Sequence, residues 1–122
     1  MFPQYWKDFL DQSGLAGRDF EVPEEEDQSG LGAEIVLMDE PSAKEEADEC
    51  YPGIVVVKDG FIPVGSCSLG SGDPYFINEN DGVGGALYRI YHDMVGDDGY
   101  DRAEAVVVVL KSYTELPKYI EE

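Results

Sequence analysis

At 122 residues the chain is long enough for one compact domain with its own core and too short for two ordinary ones. Hydrophobic residues make up 43%, and eight Tyr, five Phe and one Trp are spread from end to end, which excludes disorder throughout. Twenty-seven Asp and Glu against eight Lys and Arg leave a net charge of −19, a field that repels nucleic-acid phosphates and anionic lipid while drawing in basic partners.

Direct binding to nucleic acid or to a membrane surface is therefore disfavoured, and no apolar run approaches the length of a membrane span. The opening stretch MFPQYWKDFLDQSG lacks the basic region, apolar segment and small-residue site of a secretory signal. Two cysteines, Cys50 and Cys67, are too few for a disulfide scaffold and lack metal-ligand spacing. The expected setting is reduced and cytoplasmic, with a single disulfide as the alternative.

In chain order, Pro3 suits a first helical turn, and Tyr5, Trp6, Phe9 and Leu10 follow at helical spacing until Gly14. From Gly17 to Gly32 the chain turns acidic around Glu24, Glu25, Glu26 and Asp27, which predicts an exposed loop with a short edge strand near Phe20 and Val22. Glu34 to Met38 reads as a strand. Pro41 to Cys50 reads as a polar helix ended by Pro52-Gly53.

Ile54 to Val57 and Phe61 to Val64 flank Lys58-Asp59-Gly60, a pattern that predicts a β-hairpin. Tyr75 to Asn78 gives a further strand, Ala86 to His92 another by its period-two alternation, and Ala105 to Leu110 a last one on its run of valines. Ser112-Tyr113-Thr114-Glu115 matches a capping box ahead of a closing helix that Pro117 interrupts. Helices at both ends and short links between strands predict an α+β fold in one domain over 1–122, largely antiparallel, with the helices on one face.

Gly65, Gly70 and Gly72 stand between two strand candidates with no lysine, so they read as turn punctuation and not as a phosphate loop. His92 is the only histidine; a catalytic arrangement with Cys67 and an Asp is weighed against a packed or surface residue, and the latter is preferred. The segments 78–82 and 97–101 carry several oxygen ligands but lack the order of a calcium loop. No catalytic residue, metal site or cofactor is assigned.

Taken in order, FPQYWKDFLDQSG at 2–14, YPGIVVV at 51–57, IPVGSC at 62–67, GSGDPYFIN at 70–78, ALYRIYHD at 86–93 and SYTEL at 112–116 resemble the SUKH superfamily, the Smi/Knr type. The resemblance implies an α+β domain on an antiparallel sheet without catalytic apparatus. It also implies a protein-binding role: bacterial members neutralise polymorphic toxins, often nucleases, in the cytoplasm, and other members are regulatory interaction modules.

An acidic inhibitor can be steered to the basic cleft of a nuclease and occupy it, so the expected partner is a basic toxin domain. Charge and loop position single out Asp73, Glu79, Asp81, Asp93, Asp97 and Asp98 as partner-binding carboxylates, with Tyr75 as an aromatic anchor and 24–27 as a second acidic segment. Asp73-Pro74 reads first as an Asx-type turn. The rival reading is a hydrolase using His92 and neighbouring carboxylates; a third is a regulatory interaction module.

Overall fold

The structure, a computed structural model, describes residues 2–15, 17–67 and 73–120. Gly70 and Gly72, of the glycine-rich turn, lie outside the described residues. Six strands form one antiparallel sheet in chain order: β1 (Asp19–Val22), β2 (Ala33–Leu37), β3 (Phe61–Cys67), β4 (Tyr75–Asn78), β5 (Leu87–Ile90) and β6 (Val106–Leu110). Each strand pairs with its sequence neighbour, so the sheet is an uninterrupted meander and the α+β reading holds.

Helix α1 (Gln4–Ser13) starts after Pro3 and stops at Gly14, whose left-handed φ of 66° lets its N–H return to the Leu10 carbonyl. It lays Trp6 and Leu10 on one face of the sheet, with Phe2 and Leu15 beside them. There they meet Ile35, Val64, Ile77, Leu87 and Val109 from the strands and Tyr113 and Leu116 from the closing segment. The Trp6 ring stands edge-on to Tyr113 at 5.2 Å, a geometry favoured by the ring quadrupoles. Helix α2 (Glu40–Glu49) opens on Asp39, whose carboxylate accepts the Ser42 N–H, and contributes Ala43 to the same core.

The expected hairpin strand at 54–57 does not form. Gly53–Val56 is a short helix, α3, continued by a 3-10 turn at Val57–Asp59 that ends at Gly60 with φ 93°. The reason is tertiary: β3 already has β2 on one side and β4 on the other, so no sheet edge remains for it. A helical turn lets Val55 and Val56 pack inward while Ile54 and Val57 face out, and Gly53 brings it against α2, where a Cβ would lie 2.2 Å from the Glu46 carbonyl oxygen.

Helices on a single face are likewise not what forms. Val55 and Val56 of α3 and Ala105 of α4 (Arg102–Ala105) cover the opposite face over Phe61, Phe76, Tyr88 and Ile90. Strand β5 ends at Ile90, so His92 opens a 3-10 turn and does not finish a strand. The run of valines is a strand from Val106, preceded by that one turn of α4. The capping box forms, with the Thr114 N–H donating to Ser112 Oγ and the Ser112 N–H to Glu115 Oε2 at 3.4 Å, but it opens a 3-10 helix, Tyr113–Tyr119.

Candidate functional site

Strand polarity separates the predicted carboxylates into groups. Asp73 precedes β4 and Asp93 follows β5, at one end of that hairpin; Glu79 and Asp81 lie at the other end, in the connection between the two strands. Asp97 and Asp98 belong to the loop between Met94 and α4. Glu79, Asp81, Asp93, Asp97 and Asp98 are all exposed.

Two residues need correction. Tyr75 is fully buried beneath the sheet's first core, where its hydroxyl meets Arg89, so it is no surface anchor; burial first, against the pull of Arg89, pushes its pKa up to about 12. Asp27, within the acidic segment, is buried too. Its Oδ1 accepts the Ser29 N–H and hydroxyl, each at 2.7 Å, which leaves Glu24, Glu25 and Glu26 as the outward charges of that loop. Arg89 ties the loop to the sheet through the Gly32 carbonyl at 2.7 Å and Ser29 Oγ at 3.4 Å.

At the hairpin's outer end, Asp73 accepts both the His92 N–H at 2.9 Å and the His92 ring Nδ1 at 2.7 Å, so its side chain joins two segments 19 residues apart instead of bonding only within its own turn. Among the described residues no Ser, Thr or Cys side chain bonds His92, whose ring is half in solvent while the Asp73 side chain is mostly covered. No group of three or more His, Cys, Asp or Glu side chains among the described residues is placed to hold a metal ion. Cys50 and Cys67 are not joined in a disulfide.

At the inner end, Asn78 and Asn80 clasp the Gly60 turn: both side-chain amides donate to the Asp59 carbonyl, and the Glu79 N–H donates to the Gly60 carbonyl at 2.9 Å. That clasp turns Glu79 outward and sets Asp81 to accept the Tyr88 hydroxyl at 2.6 Å. Burial, reinforced by the Asp81 charge, pushes Tyr88 up to about 12.

A further patch went unread in the sequence. Tyr51, Ile54 and Val57 are exposed along the outside of α3 and its 3-10 extension, and the Tyr51 hydroxyl donates to Asp97, which brings an aromatic ring beside an acidic loop. The Tyr100 hydroxyl donates to Asp59 at 2.7 Å and fastens the same loop to the same turn. The i, i+3 spacing of Ile54 and Val57 was the available signal, masked by their β-branched character.

Cations do little to offset this surface. Arg89 is buried, and the Arg102 guanidinium lies over the Phe61 ring at 5.0 Å and the Tyr88 ring at 5.9 Å. Lys7 pairs with Glu40 and Lys118 with Glu115, both at 3.6 Å in solvent. No helix among the described residues is long and apolar enough to cross a membrane. Comparison with protein-family models, with curated proteins and with solved structures finds no match to this chain.

Proposed function

We propose that this chain is a non-catalytic protein-binding domain that works in the cytoplasm and neutralises a basic bacterial toxin domain, as its resemblance to SUKH immunity proteins implies. The observation that carries the reading is charge fixed on a folded frame. Eight cations can neutralise at most eight of 27 carboxylates, and two of those cations are turned to the fold's own use. Glu79, Asp81, Asp93, Asp97 and Asp98 remain exposed to steer a positive partner, and Tyr51, Ile54 and Val57 supply apolar area to grip it. A nuclease holds phosphates and so presents a basic cleft, which such a surface complements without chemistry of its own.

Co-expression with the toxin domain encoded in the neighbouring reading frame tests the proposal. Growth should be restored and the two proteins should purify as one complex at low salt. Restored growth without a complex, with the toxin's substrate or the toxin itself chemically altered, would replace binding by catalysis.

A further inference from the structure

The sheet has two edges, β1 and β6, and they are not finished alike. The outer side of β1 is met by the closing segment, where Phe20 bridges Ile120. Along β6 the neighbouring loop reaches only the far end, the Gln28 N–H donating to the Val109 carbonyl at 2.9 Å.

The ladder decides which groups of β6 face out. Ile90, Arg89 and Tyr88 stand opposite Val106, Val107 and Val108, and the Tyr91 N–H donates to the Ala105 carbonyl at 2.9 Å. Antiparallel pairs alternate between bonded and non-bonded, so Val107 bonds β5 as Ala105 does, while the backbone of Val106 and Val108 turns away from it. The Val106 N–H returns to the Arg102 carbonyl where α4 ends. Among the described residues, the Val106 carbonyl and both the N–H and the carbonyl of Val108 are left open on that side.

Natural edges are guarded by charge, proline, a bulge or a covering segment. Val106–Leu110 is five aliphatic residues, and its register shift, at Val109, lies beyond the open groups. Val106, Val107 and Val108 are all partly exposed, whereas every residue of β4 and β5 is buried. The two ends of this bare edge are acidic: the exposed Glu104 precedes it in α4, and the Gln28 bond holds the loop with exposed Glu24, Glu25 and Glu26 at the other.

Resting on the reading that the partner is basic, we infer that β6 takes up an extended segment of that partner as an added strand, bonded to the Val106 carbonyl and to both backbone groups of Val108, with the segment's Lys or Arg side chains reaching Glu104 and the 24–26 carboxylates. Backbone pairing supplies the grip and the flanking charge selects the partner. A second copy of this chain would offer the same edge, but two chains of −19 repel each other.

The test is residue-by-residue amide hydrogen exchange on the whole chain, alone and with a blocked peptide of alternating lysine and valine. Alone, Val108 should exchange about a hundredfold faster than Val107, because only Val107 is bonded in the ladder. At saturating peptide Val108 should slow by about tenfold or more, whereas the same peptide N-methylated throughout, or one of alternating glutamate and valine, should leave it unchanged. Glu24→Gln with Glu104→Gln, both at exposed positions, should weaken binding of the lysine peptide about threefold. A Val108 amide as slow as Val107 in the free chain, protection that grows with the concentration of the chain itself, or equal binding of the glutamate peptide overturns the inference. An unprotected Val108 in an intact complex with the basic partner removes the added strand alone; protection by the lysine peptide without any such complex removes the proposed function alone.

Discussion

Arg89 faces Tyr75 across the β4–β5 ladder, with its Nη2 3.0 Å from the Tyr75 hydroxyl and 2.7 Å from the carbonyl of Gly32, 57 residues away in sequence. One buried guanidinium thus joins the middle of the sheet to the loop that displays Glu24, Glu25 and Glu26.

Arg89→Met should therefore cost about 3–5 kcal/mol, because it leaves the Tyr75 hydroxyl, the Gly32 carbonyl and the buried Asp27 without their cation. Arg89→Lys should recover only part of that, since a single ammonium nitrogen lacks the planar guanidinium whose Nη2 serves the Gly32 carbonyl and Tyr75 while Nη1 reaches Ser29. The urea midpoint reads both, and full recovery by lysine would contradict the forked role.

Gly53→Ala is a direct check that 53–56 is helix packed on α2. An added Cβ would stand 2.2 Å from the Glu46 carbonyl oxygen and 3.0 Å from the Ala47 Cα, so the two helices must part, at a cost of about 1–3 kcal/mol. A neutral or stabilising result would favour the hairpin strand instead.

Alkaline pH should destabilise the fold. Burial raises Tyr75 and Tyr88 from 10.0 to about 12, so the folded chain holds these protons more tightly than the unfolded chain does. Their contribution is fully present below pH 10 and is lost as pH rises from there through about 12. Denaturation across that window should show a falling midpoint, and Tyr88→Phe should flatten the fall; an unchanged slope in that variant would count against it.

His92→Ala should lower stability by no more than about 0.5 kcal/mol, because the His92 ring is half in solvent and Asp73 keeps the backbone N–H of residue 92. Partner affinity should stay within twofold of the parent by titration calorimetry, an order-of-magnitude expectation for a side chain outside the contact. A large loss of function with the fold intact would revive the hydrolase reading.

Local signals carried α1, β2, β4, β6 and the Ser112 cap into the sequence, since proline, glycine, periodicity and capping residues act within a few positions. The stretch 54–57 was misjudged because β-branched composition speaks for a strand, while the vacancy of a sheet edge is decided by β2 and β4, 10 or more residues away. Tyr75 was placed on the surface for a related reason. All four residues of β4 are buried, with Tyr75 and Ile77 under one core and Phe76 under the other, so no alternation marks an outer side. The carboxylates were legible as charge, but their division between the two ends of β4 and β5 required the strand directions.

The account turns on attraction between this acidic surface and a basic protein, and the association rate with the basic toxin domain proposed as its partner, followed by stopped flow over a salt series, measures it. The rate should fall by about tenfold or more between low and high ionic strength, and further on Glu79→Gln with Asp97→Asn. An association rate indifferent to salt and to those carboxylates would contradict it.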